Sequence, residues 1–320
     1  MRLKTIIAFF AIISLSLLLA TSGCRQRRMH SSVAVDKNAG NNAGKGEENI
    51  APSDAAPDPK AAEAMLDKSD SEGVDLAEKE EIRRSYNLDP GARVNIYGIN
   101  GKVKVDTADI DTAEVLIVRS AKKREDLEFR KINIEHEVKE LTIRVENDRK
   151  SVFSAMGSIP EVRQRVILRL PKRVDLETGG VNGNVWVGEI RGRVELNSIG
   201  GEVKVARAAG NTEIGHVNGG VDVTFAPLDR KKIQLNDING NIDLRFEGEV
   251  NAELSTWGIN GNVDAKLPNV EKDETEPRRG RVKARIGNGG SKIEANRING
   301  NVRLAKAEKP VATTAKADTK

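Results

Sequence analysis

Cysteine is almost missing from this chain. Its 320 residues include one, Cys24, so no disulfide can form within the chain. Histidine is scarce as well: His30, His136 and His216 stand far apart, with no second ligand or nucleophile at a recognisable spacing. Aromatic residues make up 3% of the chain against 29 glycines, which excludes a bulky core and leaves small aliphatic layers. Neither charge sign dominates. The formal net charge is +4, and loss of Arg2 and Lys4 with a leader segment would leave +2, which is no nucleic-acid footprint. There is no zinc spacing, and the glycine-rich phrases open no helix, as a phosphate cradle requires. The sequence therefore offers no catalytic residues and calls for no cofactor.

What it does hold is a repeated phrase: apolar, Asn or Gly, Gly, any residue, Val or Ile. The copies centre on Asn182-Gly183, Gly200-Gly201, Asn218-Gly219, Asn239-Gly240, Asn260-Gly261 and Asn299-Gly300, with an outlier at Asn100-Gly101. Gly183, Gly192, Gly201, Gly210 and Gly219 are nine apart, and Gly219, Gly240 and Gly261 twenty-one apart. A fixed period of this kind marks a repeat architecture. Between the glycines the residues alternate apolar and polar, as in Ile242-Asp243-Leu244-Arg245-Phe246, which is strand period with one face buried. Asn-Gly tolerates positive φ and so marks the turn, either of a hairpin or of a solenoid corner. The regular nine favours the solenoid, with eighteen to twenty-one residues making a coil of two or three strands. The asparagines then serve either as turn residues or as a bonded ladder along the axis.

The Gly-Ile-Asn-Gly phrases at 98–101 and 258–261, and the Leu170-Pro171-Lys172 turn before Val174–Thr178, resemble the bacterial putative-adhesin β-strand-repeat family and the related Gly-Ile-Asn head domains. The resemblance spans about residues 90–306. It implies a β-solenoid, an envelope location and an adhesive role, and it brings no catalytic residues. The expected fold class is all-β: a single-stranded β-solenoid or β-helix-like repeat domain over 89–306, with a more irregular β-rich cap at its start.

Residues 1–24 read as a lipoprotein signal. Arg2 and Lys4 are followed by an apolar run from Ile6 to Ala20, too short for an ordinary spanning helix, and then Thr21-Ser22-Gly23-Cys24. Small residues before Cys resemble the lipoprotein processing site, which would make Cys24 the lipidated first residue and hold the protein at the membrane. Arg25 after it resembles sorting to the outer membrane. Residues 25–88 read as a flexible tether with short helical segments, among them Leu76–Arg84. Residues 268–281 read as a loop inserted into the repeat, and 307–320 as a disordered tail.

Three residues after the key glycine stand Asp222, Asp243 and Asp264, expected to project side by side. They read as a solvated acidic face, a weak hard-cation site, or a catalytic row as in β-helical polysaccharide-cleaving enzymes. Trp186 shares their register and would either stack on a sugar or pack on a neighbouring loop. The first functional reading is a non-enzymatic, lipid-anchored envelope module binding an envelope or extracellular polymer or protein. The second is a structural or signalling scaffold for another protein, and the third is a polysaccharide-active enzyme. No nucleic-acid partner is expected.

Overall fold

The computed structural model describes residues 76–147, 160–273 and 280–308. The signal segment with Cys24, the 25–75 part of the tether and the 309–320 part of the tail fall outside them. The described chain is all-β, with two large mixed sheets of ten and eleven strands and one short 3-10 turn, Arg124–Phe129.

The opening block contains β1 (Glu78–Asn87), β2 (Arg93–Tyr97), β3 (Gly101–Ala108), β4 (Thr112–Ala121), β5 (Arg130–Glu137), β6 (Glu140–Asn147) and β7 (Val162–Pro171). Its outer pairings are antiparallel: β1 with β4, β4 with β7, and β5 with β6. β1 corrects the helical expectation for Leu76–Arg84. Helix-favouring Glu, Lys and Arg are overridden by ten paired positions with β4, by Ile82 and Tyr86 packing on the core, and by Glu80 bridging to Arg119 at 2.5 Å. Its charged residues also protect this sheet edge from pairing with other chains.

From residue 175 onward the strands alternate between the sheets about every nine residues. The pairs are β8 (Asp175–Val181) with β9 (Val185–Ile190), β10 (Val194–Ile199) with β11 (Val203–Ala208), and β12 (Thr212–Val217) with β13 (Val221–Phe225). Then come β14 (Lys232–Ile238) with β15 (Ile242–Phe246) and β16 (Ala252–Ile259) with β17 (Val263–Lys266). The short β18 (Val270–Lys272) and β19 (Lys283–Ile286) follow, and then β20 (Ser291–Ile298) with β21 (Val302–Lys306). Each pair is one layer, and successive layers stack in parallel. Val194 lies beside Leu176 and Val203 beside Val185, eighteen residues apart; Ile233 lies beside Thr212 and Ile242 beside Val221, twenty-one apart. The nine-residue spacing is thus the step from one sheet to the other, with two strands per layer.

Spatial order departs from chain order at the end. β20 pairs with both β14 and β16, and β21 with both β15 and β17, so the last layer in sequence sits inside the stack. Within 268–281, residues Val270–Lys272 form β18, antiparallel to β19 at the sheet edge, and 274–279 lie outside the described residues.

Inward-facing Val, Ile and Leu of both sheets fill the space between them, and Phe225 stacks on Phe246 of the next layer with ring centres 5.4 Å apart. One expectation about the turn is corrected. Of the repeated glycines Gly101 has positive φ, at 151°, but 183, 201, 219, 240, 261 and 300 do not. The positive φ of the turn falls two residues before each Asn position, at Gly98, Gly180, Ser198, His216, Asp237, Gly258 and Arg297. The phrase glycines are needed for close approach instead: a Cβ on Gly240 would lie 2.5 Å from the carbonyl carbon of Gly219, and one on Gly300 2.6 Å from that of Gly240.

Candidate functional site

The corners after β2, β8, β12, β14, β16 and β20 of the eleven-stranded sheet carry the phrase asparagines. Stacking carries their side chains into a bonded column. Asn182 Nδ2 donates to Asn100 Oδ1 at 2.9 Å, Asn239 to Asn218 at 2.8 Å, Asn299 to Asn239 at 2.8 Å and Asn260 to Asn299 at 2.9 Å. Asn100 Nδ2 ends the column on the carbonyl of Val162. The second Asn of the phrase has a separate task. Asn184, Asn241 and Asn301 each accept a backbone N–H from the next layer, of Glu202, Asn301 and Asn262, at 3.0 Å. The glycines between them let the layers approach closely enough for both sets of bonds.

The outer face of the ten-stranded sheet holds the predicted surface row. Register places Lys104, Trp186, Lys204, Asp222, Asp243, Arg303 and Asp264 side by side across it. Asp222 and Asp243 are neighbours. Asp264 is not beside Asp243, because the inserted last layer puts Arg303 between them. Asp222 also takes a two-pronged bond from Arg245, at 2.7 and 2.6 Å, and Asp264 meets Lys266 at 3.2 Å. Among the described residues no group of three or more His, Cys, Asp or Glu is placed to hold a metal ion. Trp186 is half-buried, with the Lys102 ammonium 5.5 Å from its ring centre, a cation–π distance. Beside the row, a groove of about 770 Å³ is lined by Thr224, Asp243, Arg245, Glu247, Arg303 and Lys306, among others. Its rim continues as an ion-pair chain, Lys172 to Glu189 at 3.3 Å, Glu189 to Arg207 at 3.0 Å and Arg207 to Glu247 at 3.0 Å. Burial pushes the Glu189 carboxyl up, but hydrogen bonds from Arg191 and Lys172 outweigh it and hold it below the usual carboxylate range.

The opposite face carries a row that sequence reasoning missed. Glu177, Glu195 and Glu213 are direct neighbours in consecutive layers, and their eighteen-residue spacing was the available signal. Arg193 reaches Glu195 at 2.6 Å and Glu213 at 3.8 Å, and Tyr97 donates a short hydrogen bond to Glu177. Burial, the Glu177 bond and the Glu177 charge push the Tyr97 hydroxyl up to about 12. At the left-handed corner positions, Asp237 accepts two bonds from Arg297, at 2.5 and 2.6 Å, and lies 3.5 Å from His216 Nε2. The Arg297 bonds hold its carboxyl below the usual range. His136 lies at the surface, with Nε2 2.9 Å from the carbonyl of Asn87.

No family model matches the chain, and no curated protein matches it. Among solved structures it is similar to a putative cell adhesion protein from Clostridium sporogenes, at 15% identity and a TM-score of 0.37, over 71% of this chain and 100% of that one. It is also similar to a putative adhesin from Bacteroides fragilis, at 9% identity and a TM-score of 0.27, over 72% and 99%. A putative lipid binding protein from Parabacteroides distasonis matches at 9% identity and a TM-score of 0.26, over 72% and 97%. Two of these three structures carry the adhesin or cell-adhesion description of the family that the Gly-Ile-Asn-Gly phrases resemble.

Proposed function

We propose that the chain is an exported, non-enzymatic binding module. Its strand pairs wind as a β-solenoid, a lipid on Cys24 tethers it to the outer membrane, and it binds a hydroxyl-rich envelope or extracellular polymer. The observation that carries this reading is the outer face of the ten-stranded sheet. There a half-buried Trp186 stands in one row with charges of both signs, beside a groove walled by Asp243, Arg245, Glu247 and Arg303. Aromatic faces stack on sugar rings, and paired carboxylates and guanidinium groups offer hydrogen bonds to hydroxyls without favouring a polyanion.

The test is a glycan array and a pull-down from envelope extract, each with wild type and with Trp186→Ala/Arg303→Ala. Polysaccharide binding lost in the double variant supports the reading, whereas capture of a protein by both forms and no glycan binding supports the scaffold reading instead. The anchor is tested separately with Cys24→Ser and radioactive fatty acid. The variant is expected to take up no label, and equal label in both forms would remove the lipid from the proposal.

A further inference from the structure

The asparagine column is broken once, at Gly200. The backbone runs through this point without interruption: Gly200 N–H bonds to Val181 O, and Asn218 N–H to Ile199 O, both at 2.8 Å, as at every other layer. Only the side chain is missing. Below the break Asn182 has given its Nδ2 to Asn100, and above it Asn218 has used its Oδ1 to accept from Asn239. This leaves one acceptor, Asn182 Oδ1, and one donor, Asn218 Nδ2, with no hydrogen-bond partner among the described residues. Every bonded rung donates its Nδ2 toward the layer below, and the same direction turns these two atoms toward the break. A Cβ on Gly200 would lie 3.0 Å from Asn182 Oδ1, so that oxygen leans over the open place. Adjacent strands are about 4.8 Å apart, so the space between the Asn182 and Asn218 side chains is about two such steps and takes one carboxamide.

We propose that this one-rung break binds the acetamido group of an N-acetylated amino sugar. In the column each carboxamide accepts on its oxygen from one side and donates an N–H to the other. A trans secondary amide has the same antiparallel pair on one axis. Its N–H donates to Asn182 Oδ1 and its C=O accepts from Asn218 Nδ2, so the guest completes a chain of aligned amide dipoles that polarise one another. The surroundings select a sugar over a peptide. Ser198 and His216, at φ 57° and 54°, are exposed beside the break, and the Ser198 hydroxyl and the part of the imidazole not turned to Asp237 are offered to ring hydroxyls. In the layer below, Gly180 occupies the same place and leaves room for the ring. The site lies at the corner and uses none of the residues of the ten-stranded sheet's outer face, so it stands apart from the polymer site proposed above.

The experiment is NMR titration of the full mature chain, following the backbone amides of residues 182 and 200, which every variant retains. Three probes are used: an N-acetylglucosamine trimer, a glucose trimer, and N-acetylalanine methylamide. The expected result is a saturable shift with the N-acetylated trimer and at least tenfold weaker binding of the other two. Gly200→Asn, which supplies the missing rung from the chain itself at a position where Asn already stands in other layers, is expected to lose binding at least tenfold while melting no lower than wild type. Asn218→Ala is expected to lose binding too, and Trp186→Ala to keep it. Equal binding of the two sugars, a shift with the dipeptide amide alone, no saturable shift at all, or undiminished binding by Gly200→Asn would overturn the proposal. Loss of polymer binding in Trp186→Ala with this titration unchanged separates the two sites.

Discussion

Gly240→Ala adds one methyl group at a point where two layers of the stack approach closely. The new Cβ would lie 2.5 Å from the carbonyl carbon of Gly219 and 2.8 Å from the nitrogen of Gly220, with the Gly219 oxygen closer still. Ordinary contact begins near 3.4 Å, and every atom met is backbone, so no side chain can swing away. The layers must separate locally by on the order of 1 Å, because interiors this dense have no slack to absorb the overlap. Separation stretches the bonds that close the corner, Asn239 N–H to Val217 O at 2.8 Å and Val221 N–H to Asn241 O at 2.9 Å. Two weakened backbone bonds at about 1 kcal/mol each, with the desolvation cost of groups left unmade, give a loss of about 3–5 kcal/mol. At roughly 2–4 °C per kcal/mol for a domain of this size, the melt falls by about 10 °C. Gly220→Ala is the control. It lies on the same corner, and its Cβ would meet only Asn241 O, at 3.6 Å. It is expected to be neutral or to stabilise by about 0.4–1 kcal/mol through the unfolded chain. Thermal and urea melts of the two variants decide the matter, and equal midpoints would refute the close-approach account of the repeated glycine.

Asn239→Ala removes a residue that both donates and accepts in the column; a loss of about 1–2 kcal/mol in urea unfolding is expected, and no change would reduce the column to a turn preference. Asp222→Asn weakens the two-pronged Arg245 bond on a partly exposed face, so less than about 1 kcal/mol is expected to be lost, and calcium is expected to leave the wild-type melt unchanged; a rise of several degrees with calcium that the variant lacks would establish a cation site. Tyr97 gives a pH signature. Its folded pKa lies above the unfolded one, so its stabilising contribution is complete below about pH 10 and is lost as pH rises toward about 12, where the unfolded chain releases the proton first. Urea midpoints of wild type are expected to fall more steeply through this window than those of Tyr97→Phe, and parallel slopes would contradict the part-buried Tyr97–Glu177 bond.

The repeat was legible because its determinants are local. Alternation fixes which residues face inward, and a nine-residue step between glycines fixes where the chain changes sheets. Asn182, Asn218 and Asn239 could be placed on one corner for the same reason. Three features were not legible, each because a distant contact decides it. Glu78–Asn87 carries helix-favouring residues, and only the presence of β4 makes it a strand. Asn-Gly is the commonest local signal for positive φ, yet the layers need that glycine for space, and the left-handed turn moves to residues as unfavourable for it as His216 and Arg297. Asp243 and Asp264 share a spacing of twenty-one but not a neighbourhood, because sequence order stops matching spatial order after β15.

That reordering bears on how the molecule is made. Residues 291–306 form the last two strands in sequence among the described residues, yet they act as a keystone rather than an end cap. A chain emerging from its N-terminus first reaches residue 290 with β14 and β15 on one side and β16 and β17 on the other, each offering the parallel edge that β20 and β21 will occupy. Open edges of this kind are templates for foreign strands. Closure brings together positions sixty residues apart, such as Ile233 and Ile293, the kind of non-local pairing that slows folding. A stop codon near position 290 would therefore not shorten the stack by one layer; it would leave it split through the middle. The arrangement makes completion of the chain, rather than completion of each repeat, the event that seals the fold.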